Sequence, residues 1–188
     1  LGRVHRLDKE TSGCLVVARN EAALGALQAA FKARRVEKTY LALCHGRLPA
    51  EGRLDTPYGR HPRERTRFTG RVRTVRRAVT AWRVVERFGD AASLAEVALH
   101  TGRTHQIRVH LAEAGHPLLA DASYGGRRRE ARLPPSHPAR RAAEEWVAEF
   151  DRRARLLVPH CGLLQIGVEP LVERGEVAEG PARGFNGV

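Results

Sequence analysis

Short apolar runs with polar neighbours dominate this chain, and most of them have the composition of strands. Branched and aromatic residues are concentrated in four of these runs, at residues 13–18, 38–44, 78–86 and 94–100. We expect each run to form a strand, the first of them buried, and the turn around Gly89 and Asp90 to join the last two into a hairpin. Residues 53–77 hold Gly, Pro and alternating polar residues, which predicts hairpins with mobile tips.

A helix is predicted over residues 20–34. The apolar residues Leu24, Leu27 and Phe31 recur there every three or four positions, so they would lie on one face. Asn20 has a side chain that suits the N-cap, because its oxygen can accept a backbone N–H of the first turn.

A second helix is predicted over residues 104–114, with Ile107, Leu111 and Ala114 as its core stripe and Thr104 as its N-cap. Farther along the chain we expect a basic loop with prolines, a surface helix and a last strand region, at residues 125–138, 139–154 and 156–168. Together these elements predict one α+β domain over residues 1–188, with a mixed, largely antiparallel sheet flanked by helices.

Charge narrows the classes of function. The chain carries 33 Lys and Arg against 21 Asp and Glu, a net charge of +12, and all but three of the basic residues are arginine. Such a field attracts polyanions, which favours a nucleic-acid-binding protein, although a basic enzyme with an arginine-rich composition stays open. No run of about 18 apolar residues exists and no signal segment starts the chain, so we expect a cytoplasmic protein without a membrane span.

The stretch HRLDKETSG at residues 5–13 is the first candidate for chemistry. It places the carboxylate of Asp8 between basic residues and ahead of a tight glycine turn, which would hold the group rigidly and keep it ionised. A common alternative is that Asp8 only caps the turn through its own backbone.

The second candidate is TGRTHQIRVH at residues 101–110. A helix N-terminus presents unpaired N–H groups to an anion, and Arg103 adds charge there, while Arg108 falls one turn beyond Thr104. A plain amphipathic helix with solvated arginines is an equally good interpretation. His105 and His110 are five positions apart and would not share a helical face, and the three cysteines form no C-x-x-C pair, so we expect no metal.

The third candidate is Tyr40, in the segment KTY at the start of a predicted strand. A tyrosine at such a position is more often part of the core or of a sheet edge. Its ring could also stack on a base and offer a hydroxyl at the rim of a pocket.

Taken together, these stretches resemble the RluA-type pseudouridine synthases, which isomerise uridine in RNA. HRLDKETSG is similar to that family's HRLD-x-x-TSG motif, and KTYLALCHG is similar to its K-x-Y-x-A segment. TGRTHQIRVHLAEAGHPLLADASYGG is similar to TGR-[ST]-HQ-[IL]-R-V-H…GHP…GD…YG. The resemblance covers residues 1–126, with a weak match over residues 126–188.

The resemblance implies roles for particular residues. Asp8 matches the catalytic aspartate, Arg108 the arginine paired with it, and Tyr40 the tyrosine that contacts the target base. Arg6 matches the arginine that helps to displace the flipped nucleotide. The remaining candidates for substrate binding are Arg103, Thr104, His105, Gln106 and Ile107.

The function implied is that of a cofactor-free, monomeric enzyme that converts specific uridines of ribosomal (23S) or transfer RNA to pseudouridine, ribosomal RNA being favoured. The family has a further stretch before HRLD, so we expect the N-terminal part of the domain to be missing. The alternative is a non-catalytic, basic RNA-binding remnant of such an enzyme. An unrelated DNA-binding protein is disfavoured because the chain has no helix-turn-helix or zinc-finger pattern.

Overall fold

The computed structural model describes residues 2–9, 11, 13–126 and 136–137. The helix predicted over residues 139–154 and the strand region predicted over residues 156–168 lie outside this part of the chain. Within it, two helices and eight strands occur in the order β1 (Gly2–Arg3), β2 (Val17–Ala18), α1 (Glu21–Lys32), β3 (Thr39–His45), β4 (Glu51–Pro57), β5 (Gly59–Arg60), β6 (Phe68–Thr69), β7 (Arg77–Phe88), β8 (Ala92–Leu99) and α2 (Gln106–Glu113).

The central sheet has four strands in the order β3-β8-β7-β4, and every neighbouring pair is antiparallel. β7 and β8 form the hairpin expected from the turn at Gly89 and Asp90, with a bulge between Val84 and Glu86. Two smaller antiparallel pairs, β1-β2 and β5-β6, lie beside this sheet. The prediction of an α+β fold with a largely antiparallel sheet is confirmed.

One face of the central sheet packs against α2 and forms the main core. Trp82 and Val97 from the sheet meet Leu111 from the helix there, and Cys44 lies fully buried in the same cluster. Gly52 makes room for Trp82 on the neighbouring strand, because a Cβ at that position would lie only 2.2 Å from the indole ring. The strongly apolar contact fixes α2, and with it the candidate residues of the 101–110 segment, against the sheet.

The expected buried strand at residues 13–18 is wrong in both length and burial. Only Val17–Ala18 pairs with β1, and the N–H of Val16 donates to the His5 ring instead of extending the ladder. Leu15 and Val17 are 48% and 45% exposed. Within the described residues only one face of this run is covered, since Ala18 is 1% exposed while Leu15 and Val17 face outward.

α1 begins as predicted. The side chain of Asn20 accepts a hydrogen bond from the backbone N–H of Ala23 at 2.8 Å, which satisfies one of the unpaired donors of the first turn. The helix ends at Lys32, two residues before the predicted end, and no helix of the described residues is long and apolar enough to cross a membrane.

α2 begins two residues later than predicted, and Thr104 is not its cap. His105 occupies the N-cap position in the left-handed region (φ 58°, ψ 22°) and makes no capping bond. The turn is held instead by the side chain of Gln106, whose oxygen accepts hydrogen bonds from the hydroxyl of Thr101 and the N–H of Arg103. The Gln106 amide thus takes the role that was expected of the Thr104 hydroxyl. Ala114, which was predicted to belong to the core stripe, is exposed and lies outside the helix.

The other end of α2 fastens a basic loop. The carboxylate of Glu113 accepts hydrogen bonds from the hydroxyl of Thr69 and from the N–H of Gly70, and its carbonyl oxygen accepts one from the Arg71 side chain. We call residues 71–76 the arginine loop, because three of its six residues are exposed arginines. The first residue of the arginine loop, Arg71, and the two residues before it are therefore attached to the helix that carries Arg108.

Candidate functional site

All nine residues singled out from the sequence line one cleft of about 370 Å³. The cleft lies between the segment at residues 5–11, strand β3 and the first turn of α2. The residues brought together are Arg6, Asp8, Tyr40, Arg103, Thr104, His105, Gln106, Ile107 and Arg108.

Asp8 is held by the segment that precedes it. The His5 ring stacks on Phe31 of α1 with 5.0 Å between centroids, and its Nε2 accepts a hydrogen bond from the N–H of Val16. Burial lowers the pKa of His5, which suits an acceptor nitrogen. The backbone carbonyl of Asp8 accepts a hydrogen bond from the N–H of Thr11 and closes the turn. Among the described residues, the Asp8 carboxylate itself makes no hydrogen bond that caps this turn.

The Asp8 carboxylate faces two groups of the first turn of α2. Its Oδ2 lies 3.8 Å from Nη1 of Arg108 and 4.0 Å from Nε2 of His105, and the side chain keeps 21% of its exposure. Both distances are longer than a hydrogen bond. The two groups therefore act on the carboxylate by charge and leave its oxygens accessible.

Arg108 takes its orientation from Asp121. The guanidinium donates two hydrogen bonds to this carboxylate, from Nε at 2.8 Å and from Nη2 at 2.9 Å, and the Asp121 side chain is only 4% exposed. Backbone N–H groups of Ser123 and Tyr124 also donate to Asp121. Burial alone would raise the pKa of Asp121, but the hydrogen bonds from Arg108 and the backbone lower it, so the pair stays charged.

Tyr124 supports the same guanidinium from its ring face. The Arg108 guanidinium carbon lies 5.0 Å from the ring centroid, within the range of a cation–π contact. The Tyr124 hydroxyl accepts the N–H of Phe68 and lies 2.9 Å from Nδ1 of His105. Sequence reasoning assigned no role to Asp121 or Tyr124, although both belong to the segment ADASYGG that was matched to a family motif.

Tyr40 stands on β3, paired with Val97 of β8, and its half-buried ring forms one wall of the cleft. Burial raises the pKa of its hydroxyl, and the negative charge of Asp8 adds to this effect. The group is therefore a neutral phenol at pH 7, able to stack and to donate a hydrogen bond.

The rest of the lining is cationic and apolar. Asp8 is the sole carboxylate among the described residues that line the cleft, against Arg6, Lys38, Arg103 and Arg108. Arg6 and Arg103 are exposed at the rim, whereas Lys38 is half-buried and its pKa is lowered by burial and by Arg34. Such a cleft attracts a phosphate-bearing ligand while keeping one negative group for chemistry.

Three of the candidate binding residues shape the wall. Both ends of the Gln106 amide form hydrogen bonds within the protein. Its nitrogen donates to Val79 and Thr80, and its oxygen accepts the two bonds described above. Thr104 accepts the Tyr58 hydroxyl through its backbone carbonyl, and Ile107 packs against the core. Within the described part of the chain, no group of three or more metal-ligating side chains comes together.

The fold is an α+β domain with an antiparallel sheet and a cleft that holds one carboxylate among arginines, and comparison with known proteins identifies its class. The family model for RNA pseudouridylate synthase matches residues 1–113. The chain therefore belongs to the RNA pseudouridylate synthase family, and its resemblance to the RluA-type enzymes is confirmed.

Individual relatives agree with this assignment. The chain is 51% identical over 127 residues to an "Uncharacterized RNA pseudouridine synthase" of Chloroflexus aurantiacus, covering 68% of this chain and 40% of the relative. It is 42% identical over 175 residues to "Ribosomal large subunit pseudouridine synthase D" of Nitrosomonas europaea, covering 90% and 48%. The chain thus spans less than half the length of these two relatives.

A solved structure shares the fold. "Human RNA Pseudouridylate Synthase Domain Containing 1" superposes with a TM-score of 0.62 at 36% sequence identity, over 66% of this chain and 55% of that protein.

Proposed function

We propose that this chain carries the catalytic centre of an RNA pseudouridine synthase, with Asp8 as the catalytic residue. The observation that carries the proposal is the position of Asp8, a single carboxylate in a cationic cleft, beside Arg108 and across from Tyr40. Ribosomal RNA is the substrate that the relatives' names favour, since several are called ribosomal large subunit pseudouridine synthase D. Transfer RNA is the second class to be tested. Cytoplasmic location and a monomeric state stay predictions.

The reaction is an isomerisation and needs no co-reactant. The bond between N1 of uracil and C1′ of ribose breaks, the detached base turns, C5 bonds to C1′, and the proton on C5 moves to N1 by way of solvent. Asp8 acts at the ribose, either by attacking C1′ or by removing a proton from C2′. In both routes an ionised carboxylate is needed, and the nearby guanidinium of Arg108 favours that form.

Tyr40 and Arg6 act on the base. The target uridine must leave its stack to enter the cleft, which costs a few kcal/mol. The neutral phenol ring of Tyr40 is suited to stack on the uracil and hold it over Asp8. Arg6, which is exposed at the rim, would fill the space that the base vacates.

The test is the variant Asp8→Asn, which keeps the size of the side chain but removes the charge. We expect loss of tritium release from RNA labelled at uridine C5, by at least roughly a hundredfold. RNA affinity and thermal stability should stay close to the original values. Asp90→Asn is the matched control, because Asp90 is an exposed acid paired with Arg47 and does not line the cleft.

Ribosomal and transfer RNA transcripts are assayed in parallel. If the original chain binds RNA but releases no tritium from either, the non-catalytic alternative is correct. Retained turnover in well-folded Asp8→Asn would remove Asp8 from the mechanism.

A further inference from the structure

His105 lies between a tyrosine and the carboxylate of Asp8. Its Nδ1 is 2.9 Å from the Tyr124 hydroxyl and its Nε2 is 4.0 Å from Oδ2 of Asp8. The ring also meets the edges or faces of Phe68 and Tyr124 at nearly right angles. The imidazole is therefore fixed on one side and directed at the carboxylate on the other.

The hydrogen bonds of Tyr124 decide where the imidazole proton sits. The hydroxyl oxygen of this buried tyrosine accepts the N–H of Phe68 at 3.0 Å. Its own hydrogen has one acceptor among the described residues, which is Nδ1 of His105. A proton on Nδ1 would leave the hydroxyl hydrogen buried without a partner, at a cost of about 1–3 kcal/mol. His105 must therefore carry its hydrogen on Nε2, the nitrogen that faces Asp8.

Burial keeps His105 neutral near pH 7. Burial lowers its pKa, and the positive charges of Arg108 and Arg6 lower it further. Asp8 and Asp121 act in the opposite direction without reversing the net shift. A neutral imidazole with its hydrogen on Nε2 is a donor towards the carboxylate and adds no positive charge that would neutralise it.

We propose that His105 is a positioning residue, which holds Oδ2 of Asp8 through Nε2–H while the Tyr124 hydroxyl fixes its tautomer. Arg108 faces the same oxygen, so Oδ1 is left as the oxygen that meets the ribose. The apo distances of 3.8 and 4.0 Å shorten when RNA closes the site, as is common for catalytic contacts. The proposal rests on the proposed function of Asp8 and assigns it an orientation.

Two variants separate positioning from mere support of the fold. His105→Asn removes the imidazole with little backbone strain, because Asn tolerates the left-handed conformation that position 105 adopts. Tyr124→Phe keeps the ring that packs under Arg108 and removes only the hydroxyl. His100→Asn is the control, since His100 is exposed at the end of β8 and does not line the cleft.

We expect His105→Asn to lower kcat roughly tenfold, the effect of about 1.4 kcal/mol, with KM changed by less than about twofold. In the original chain kcat should fall along an acid limb below pH ~6.5, the ordinary pKa of histidine. That limb should vanish in His105→Asn. In Tyr124→Phe it should move to higher pH, because the neutral imidazole loses its hydrogen-bond donor. An unchanged limb in both variants would overturn the proposal, whatever happens to stability.

Nitrogen NMR of ¹⁵N-histidine in the full chain without RNA provides a second readout, with the His105 signals assigned by their absence in His105→Asn. We expect the Nε2–H tautomer at pH 7.5. The Nδ1–H tautomer would refute the proposal even in an active enzyme. An original chain that shows the Nε2–H tautomer but no activity on any RNA would refute the proposed function, and the positioning role with it.

Discussion

Arg108 donates two hydrogen bonds to Asp121 at 2.8 and 2.9 Å, whereas its Nη1 stands 3.8 Å from Asp8. The buried acid, rather than the candidate catalytic one, aims the guanidinium. Asp8 consequently lies near a positive charge but forms no short ion pair with it. A short ion pair would engage the carboxylate oxygens and lower their reactivity. The family resemblance implied a pairing of Arg108 with Asp8 alone. It did not include Asp121, which orients Arg108 and so sets the distance from Arg108 to Asp8.

We predict that Asp121→Asn weakens both activity and the fold. Asn keeps the shape but leaves the guanidinium without its partner, so the free energy of unfolding should fall by about 2 kcal/mol and turnover by roughly tenfold. Urea unfolding and tritium release measure the two effects. Asp55→Asn is the control, because its ion pair with Arg77 is about half exposed and should cost less than about 1 kcal/mol. Equal effects of the two substitutions would show that Asp121 has no special role.

A second prediction concerns the close approach at Gly126. A Cβ there would lie 1.9 Å from the carbonyl oxygen of Leu118 and 2.7 Å from the N of Asp121, and backbone atoms cannot step aside easily. Gly126→Ala should therefore cost about 1–3 kcal/mol of stability and lower turnover by displacing Asp121. Gly25→Ala is the matched control, because position 25 of α1 is open and alanine favours a helix by about 1 kcal/mol. Normal activity in Gly126→Ala would contradict the predicted displacement.

The third prediction is that the arginine loop contributes to RNA binding by charge. Eight arginines and one acid fall within residues 60–77, and Arg73 and Arg76 are exposed. Removing both as Arg73→Gln/Arg76→Gln should weaken binding. The slope of log affinity against log salt should become shallower by roughly 0.7–0.9 for each phosphate that is no longer neutralised. Fluorescence anisotropy over a range of salt concentrations measures the slope.

The control for this experiment is Arg53→Gln/Arg83→Gln. These arginines are exposed and alternate along their strands with Leu54 and Trp82, which point into the core, so they lie on the opposite face of the sheet. If both double variants show the same decrease in slope, binding reflects overall charge rather than the arginine loop.

A fourth prediction follows from the buried imidazole of His110, which is 1% exposed. Its Nε2 lies 3.0 Å from the Thr56 hydroxyl, and its Nδ1 lies 2.8 Å from that of Thr80, which already accepts a hydrogen bond from Gln106. The Thr80 hydroxyl can donate its own hydrogen to Nδ1 of a neutral ring. Burial lowers the pKa of His110 despite the opposing charges of Glu113 and Asp55.

Because the folded pKa lies below the unfolded value of about 6.5, the neutral ring contributes its stability above that pH. The contribution is lost as pH falls through the folded pKa. The urea midpoint should thus decrease from pH 7.5 to pH 5, and His110→Gln should lower it at pH 7.5 but flatten its pH dependence. Part of the slope will remain, since the pKa values of His5 and His105 are lowered too. An unaltered slope in His110→Gln would assign the effect elsewhere.

What could be predicted from sequence depended on how local the interaction is. The N-cap of α1 was predicted correctly because Asn20 and its partner are three residues apart. The β7–β8 hairpin followed from a glycine turn between two apolar runs. The cap of α2 was predicted wrongly, because the Gln106 amide that holds the turn is itself fixed by Val79 and Thr80 of β7, contacts that the local sequence does not reveal.

The candidate site shows the same division. Motif resemblance singled out Asp8, Tyr40 and Arg108, and the structure places all three in one cleft. Asp121 and Tyr124 received no role, since they follow Arg108 by 13 and 16 positions in a loop without periodicity. Their importance arises only when the chain turns back past Leu118 and places them beside the helix.

Because Glu113 is hydrogen-bonded to Arg71, α2 connects the arginine loop to the candidate site. This helix of about 12 Å carries Arg108 in its first turn, and its last residue, Glu113, binds Arg71, the first residue of the arginine loop, and the two residues before it. RNA bound at the arginine loop, as predicted above, would lie at one end of α2 while Arg108 lies at the other. In that case one short helix would join the contact with the nucleic acid to the alignment of the Asp8 carboxylate.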